Sequence, residues 1–446
     1  MMAKRIALTG LIVALALLGF LGTVQAAAVL ENVAVLGDES PIADHFYKEF
    51  GNPVTSDDAT NKAGFFGRVK GDDVKRCLFK VDSTGAGSEL ACKGDIAPGG
   101  GKYIDFRDYS INTGGVMAWA SSLTGGKSGV FRGDPTAVSL LGDAVPGGGL
   151  LKSFSKTAIN DDGDVVYRGE ISPSSSTDQA IFRCPQTADT GTGDCNADNA
   201  ALEKLVQKGD ELDDIAGRFF CALLGVDASD YGIAFKASTK EDCDDDTESS
   251  KVGMFRMPFG GAIETMALEK AGSEPFPDVG GTKYDEFTGS PSIENGGIVA
   301  FSATTKGLLA KENLYLCDPS VTCPDLADPE VFTTGDTIPE AVVQAGDADT
   351  CGGDFVNFGA PALSDAGDMA FSARSTKGVR GVYIHRFATD ALEAVACKGD
   401  LVPDVLDGEF TNFSDASMST DGKVGFRGSF KQPVAPKKSQ GIFVFE

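Results

Sequence analysis

One order of signals returns seven times along this chain and restricts its fold more than any other feature. It is clearest from Gly142 to Phe182: GDAVPGGG opens the unit, then come a strand ending in AIN, the turn NDDG, the alternating DVVYRG, and QAIFR. The opening glycines are Gly37, Gly94, Gly142, Gly209, Gly272, Gly335 and Gly399, about 48 to 67 residues apart. An aspartate follows in six units, with Ser273 the exception, and five continue to Pro41, Pro98, Pro146, Pro339 or Pro403. Glycine and proline in this arrangement mark a sharp turn between strands.

Within each unit a segment carrying one aromatic comes next: Phe50, Phe106, Phe154, Phe220, Phe287, Phe358 and Phe413. It runs into a turn closed by Gly64, Gly115, Gly163, Gly297, Gly367 or Gly422, with Asp230-Tyr231-Gly232 in unit four. Alternating residues follow, as in Val116-Met117-Ala118-Trp119, so the two segments read as a hairpin. Phe79, Phe131, Phe182, Phe255, Tyr315, Tyr383 and Phe443 mark a third strand, and an apolar strand such as Glu203 to Val206 leads to the next Gly-Asp. The unit is four short antiparallel strands.

Four strands per repeat of this length match a propeller blade. With 56 glycines and no sustained helical periodicity, the expectation is an all-β, seven-bladed β-propeller spanning residues 27–446. A β-sandwich or tandem small domains would be the alternative. Unit seven stops at its third strand, Gly441 to Phe445, while Leu30 to Leu36 reads as a fourth strand with no blade before it. Pairing the two closes the ring and removes exposed edges.

The turn Asn160-Asp161-Asp162-Gly163 and the stretch Ser364-Asp365-Ala366-Gly367-Asp368-Met369-Ala370-Phe371 resemble the tandem NxxGxxAF repeats of a family of exported bacterial proteins. The resemblance covers about the whole chain after the leader. It implies export and brings no established activity.

Lys4 and Arg5, an apolar run from Ile6 to Leu21, and small residues up to Ala26 form the pattern of a signal peptide over residues 1–26. That run is shorter than a membrane span, so the expected product is secreted, at the cell surface or in the periplasm, with no integral membrane segment after cleavage. A formal charge of −26 repels nucleic acid and anionic lipid. Ten cysteines in an exported chain read as disulfides. Neighbours within a unit suggest Cys77 with Cys92, Cys184 with Cys195, Cys221 with Cys243 and Cys317 with Cys323, leaving Cys351 and Cys397 for each other. Sequence alone leaves the connectivity open.

Motifs that carry chemistry are sparse. GxSxG, HExxH and P-loop patterns are all missing, and the two histidines, His45 and His385, read as surface or packing residues. Asp38, Asp95, Asp143, Asp210, Asp336 and Asp400 form the most regular polar set, and capping of their own turns is the ordinary role for aspartate there. A ligand-binding ring is the alternative. Lys80, Arg132, Arg183 and Arg256 follow the third-strand aromatic and read as solvated or inter-blade cations, with an anion-binding stripe as the sharper alternative. Two acidic stretches, with Asp161, Asp162 and Asp164 in one and Asp347, Asp349 and Asp354 in the other, are weak candidates for calcium, since neither has EF-hand spacing. These features favour a binding or assembly module for a protein or glycan ligand. A carbohydrate-active hydrolase or lyase with its site in the central funnel, and a self-assembling surface subunit, are the alternatives.

Overall fold

The computed structural model describes residues 29–446 apart from 59–61, 83–85, 173–177, 187–194, 196–200, 270–282, 307–310, 320–339 and 434–437. Its secondary structure is all β, arranged as a seven-bladed propeller of four-stranded antiparallel blades. Blades one to seven begin with the strands Phe46–Phe50, Arg107–Ile111, Leu150–Ile159, Phe219–Ala228, Lys283–Ile293, Gly353–Phe358 and Glu409–Phe413. Two-residue strands such as Val54–Thr55 and Ser417–Met418 extend some of them. The fourth strand of blade seven is Leu30–Val35, which pairs antiparallel with Lys438–Phe445 in the register Leu30 to Phe445 and Val35 to Gly441.

Alternation along the second and third strands puts one aromatic of each directly opposite the other in every blade. The pairs are Phe65–Phe79, Trp119–Phe131, Tyr167–Phe182, Phe235–Phe255, Phe301–Tyr315, Phe371–Tyr383 and Phe426–Phe443. All fourteen rings are fully buried. The first-strand aromatic closes on them edge-on, as Phe220 does on Phe255 with ring centroids 5.0 Å apart. Such aromatic clusters fix the register of each blade as well as burying area.

The Gly-Asp turn is built the same way wherever it is described. Gly37, Gly94, Gly142, Gly209, Gly346 and Gly399 have φ between 91 and 101°. A Cβ at any of them would meet little, so the positive φ rather than space requires glycine at these positions. Each aspartate accepts from the backbone N–H three residues earlier, as Asp95 does from Cys92 (2.8 Å) and Asp400 from Cys397 (2.7 Å). Asp38, Asp143 and Asp210 do likewise, so five of the six expected aspartates cap their own turns. The sixth, Asp336, lies with Gly335 outside the described residues. The equivalent turn of blade six is Gly346-Asp347, where Asp347 accepts from Gln344 N–H (2.8 Å). The Gly-Asp pair at 335 mimics the motif, but the fourth strand of blade five, Glu340–Gln344, comes after it. Gly272 is likewise outside the described residues.

Disulfides join Cys77 to Cys92, Cys184 to Cys195, Cys221 to Cys243 and Cys351 to Cys397. Cys323, the expected partner of Cys317, is outside the described residues.

Candidate functional site

Antiparallel topology places the turns between first and second strands, and between third and fourth, on one face of the disc. The other two kinds of loop lie on the opposite face. Each first-to-second turn opens with a small or polar residue: Ser56, Asn112, Asn160, Ser229, Glu294, Ser364 and Ser419, all at most 6% exposed. Several of these side chains bind back to their own turn, as Asn160 Oδ1 does to Asp164 N–H (2.7 Å) and Glu294 Oε1 to Ile298 N–H (2.6 Å). This local closure explains the recurring Asn, Ser and Gly of the repeat.

The next residue in each turn, Asp57, Thr113, Asp161, Asp230, Asn295, Asp365 or Thr420, carries most of the connections between blades, and opening residues carry the rest. Ser56 Oγ donates to the Asn112 carbonyl (2.7 Å), joining blade one to two. Thr113 N–H donates to Asp161 (2.9 Å), Asp162 N–H to Asp230 (3.1 Å), and Asp230 N–H to Asn295 Oδ1 (2.9 Å). Asn295 N–H donates to Asp365 (3.4 Å), Asp365 N–H to the Thr420 carbonyl (3.0 Å), and the Thr420 hydroxyl and Asp421 N–H to Asp57. The belt therefore passes through every blade and returns to its start. Across it, the Asn295 amide donates to Asp161 (3.1 Å) and to Asp365 (2.9 Å), tying blade three to blade six through blade five. A cavity of about 130 Å³ lies at this mouth, lined by residues of all seven blades.

The electrostatics follow from burial. Loss of solvent raises the carboxyls of Asp57, Asp230, Asp365 and Glu294 above their ordinary values. Asp227, which also lines the cavity and accepts from Ile293 N–H (3.2 Å), is pushed up to about 6 by burial. A carboxyl whose pKa is higher in the folded state holds a proton there that the unfolded chain releases. Its stabilising contribution is complete below the unfolded value of 3.8 and is lost as pH rises through about 6. The expected result is a melting temperature that climbs as pH falls from 7.5 to about 5.5. Asp227→Asn should flatten that climb by about 1 kcal/mol, because a carboxyl that titrates near 6 regains only about half a pH unit of its shift by pH 5.5. Thermal unfolding of the two proteins over this range checks it, and identical slopes would contradict it.

The residues singled out in the sequence are dispersed. Asp161 is in the belt, Asp162 is exposed beside it, and buried Asp164 pairs with Arg183 (2.5 Å). Asp347 caps its turn, Asp349 is buried, and Asp354 is exposed, its N–H bound by Thr376. Neither trio gathers its carboxylates. Among the described residues the one close group of three ligand-type side chains is Cys77, Glu89 and Cys92, whose two sulfurs are bonded to each other. His45 bonds Asp73 (2.6 Å) and His385 bonds Asp390 (2.9 Å), and neither lines the channel cavity. The third-strand cations clamp the next blade. Lys80, Arg132 and Arg256 donate to the carbonyls of Gly115, Gly163 and Gly297, and Arg183 lies 3.8 Å over the ring of Phe259. The belt itself escaped the repeat pattern, because its position holds Asp, Thr or Asn without regularity. Its place as the second residue of every turn was the available signal.

Blade count, strand order and ring closure make this a seven-bladed β-propeller with a hydrogen-bonded channel mouth. The chain belongs to the family of unknown function DUF7453, which it matches over residues 23–134 and 232–446. No curated protein matches its sequence. Solved structures of similar fold include a puromycin-hydrolysing peptidase of Mycobacterium tuberculosis, 13% identical, with 93% of this chain and 56% of that one covered and a TM-score of 0.48. The β-propeller domain of the Trilobed protease from Pyrococcus furiosus is 10% identical, with 90% and 96% covered and a TM-score of 0.48. The polysaccharide lyase Uly1 is 10% identical, with 94% and 98% covered and a TM-score of 0.41. This chain thus spans little more than half of the peptidase, and the likenesses concern the fold alone.

Proposed function

We propose that the protein is an exported, rigid binding or assembly module that holds a protein or glycan partner without turning it over. The observation that carries this reading is the belt. The second residues of the turns at the channel mouth, where a propeller enzyme would place its chemistry, are engaged in joining one blade to the next, while among the described residues the hydroxyls of Ser110 and Ser229 there have no partner. Export is supported by the leader pattern of residues 1–26 and by the four disulfides among the described residues, since disulfides persist in oxidising compartments. No helix among the described residues is long and apolar enough to cross a membrane.

Recognition is assigned to the face opposite the belt. Among the described residues, its fourth-to-first-strand loops carry the three most exposed large apolar side chains, Ile96 (79%), Leu401 (72%) and Leu406 (86%). Loops on a rigid scaffold are where binding residues concentrate. Replacing all three by serine should weaken binding of a ligand found by glycan or protein array at least about tenfold, equivalent to about 1.4 kcal/mol, and leave the melting temperature unchanged. Full retention of affinity would move the binding surface elsewhere. One observation favours the hydrolase or lyase alternative: Asp227, with its carboxyl near 6 beside a cavity, has the protonation behaviour of a general acid.

A further inference from the structure

The seams between blades are filled in different ways, and the seam between blades six and seven leaves a cleft. The residue after the second-strand aromatic faces the next blade. In three seams it is a cation that donates to a first-strand carbonyl there: Arg168 to Leu223 (2.5 Å), Lys236 to Phe287 (2.6 Å) and Arg427 to Phe50 (2.7 Å). In blade five the residue is Ser302, and Glu312 fills the space, accepting from Ser302 and Thr288 (3.3 Å each). In blade six it is Ser372, and the position equivalent to Glu312 is Arg380. Directly opposite Arg380 on the neighbouring strand is Arg374, and next to that in register is Asn357. A cleft of about 260 Å³ remains between blades six and seven.

Two arginines directly opposite each other repel, a cost that a bound anion relieves. Arg380 is partly held by Asn412 Oδ1, and among the described residues Arg374 has no ion-pair partner. Two adjacent guanidinium forks suit a carboxylate. Across the cleft are Asn357, Ser372 and Asp415, whose Oδ1 lies 3.2 Å from Ser372 Oγ, and they offer acceptors and donors for hydroxyl groups. Phe358 and Phe413 also line the cleft, with only 8% and 9% of their surface exposed.

We propose that the cleft between blades six and seven binds a single carboxylate-bearing sugar unit of the hexuronate class, with Arg374 and Arg380 on the carboxylate and Asp415 on its hydroxyls. The acidic envelope of the chain, −26 overall, makes a local arginine pair the natural place for one negative charge to enter. This site deepens the binding-module reading, and it is separate from the loop side chains tested above, so failure here leaves that reading intact.

Isothermal titration calorimetry of the full chain with D-glucuronate, D-galacturonate, D-glucose and L-glutamate tests it. A uronate should bind, glucose should bind at least tenfold more weakly, and Arg374→Ala and Arg380→Ala should each weaken the uronate tenfold or more. Ser372→Arg, which installs the side chain found at this position in blades three and seven, should abolish binding and keep the fold. No binding of either uronate, equal binding of glucose, tighter binding of glutamate, or unchanged affinity in Arg374→Ala and Ser372→Arg would each overturn the proposal.

Discussion

Removal of Val29 to Leu36 is expected to prevent the protein from folding to its native ring at 25 °C. The deletion strips blade seven of its fourth strand and exposes the edge of Lys438–Phe445. It takes away buried Ala34 and Val35, and it removes Glu31, one of the two carboxylates that hold the buried amine of Lys62. The other, Glu446 at 2.8 Å, is on the terminal segment and is itself held by backbone bonds to Val29 (3.0 and 3.1 Å). Losing one of two carboxylates around a buried amine, here Glu31 at 40% exposed, costs about 1.5–3 kcal/mol, and lost apolar burial adds about 1.5–3 kcal/mol for a valine. The total reaches the lower end of the whole stability of a typical domain, about 5–15 kcal/mol. Near-ultraviolet circular dichroism and thermal melting of the truncated protein decide it, and a native spectrum with an unchanged melting temperature would contradict the closure described here. Glu31→Gln should fold, with a smaller loss.

The second large effect is expected from Asn295→Asp. The substitution barely changes shape, but it replaces an amide donating to Asp161 and Asp365 with a third carboxylate about 3 Å from both. Each close like-charge contact near a protein surface is unfavourable by about 4 kcal/mol at an effective dielectric of about 20. Proton uptake limits the cost, since one carboxyl takes a proton for about 1.4 kcal/mol per pH unit of displacement. A loss of about 3 kcal/mol at pH 7.5 that recovers by pH 5 is the expected result. Asn295→Leu should lose stability at both pH values, because its defect is two missing donors. Thermal melting at the two pH values separates the variants. A pH-independent loss in Asn295→Asp would show that the amide does not link the two carboxylates.

Much of the architecture is legible in the chain because its repeat is local chemistry. Glycine at a positive φ, aspartate capping the same turn and an aromatic at a fixed place in each strand need no partner blade to declare themselves. Closure was also visible, since a strand spare at each end leaves a single way to complete blade seven. What was hidden depends on contacts between blades. Asn295 reads as one more turn residue, and its distance from Asp161 along the chain gives no hint that the two meet across the channel. Gly335-Asp336 imitates the opening motif, whereas Gly346-Asp347 opens blade six without the proline that marks four of the other turns. The cleft beside Ser372 is invisible for the same reason, because only comparison of equivalent seams shows which side chain is small.

Binding without turnover is tested most directly by a blind screen of the purified protein against polysaccharide and ester substrates, with Asp227→Asn as the paired control. The expected result is no turnover by either protein, together with retained ligand binding in Asp227→Asn. Hydrolysis or elimination by the natural chain that disappears in Asp227→Asn, while its fold survives, would contradict the binding-module account and place an active site at the channel mouth.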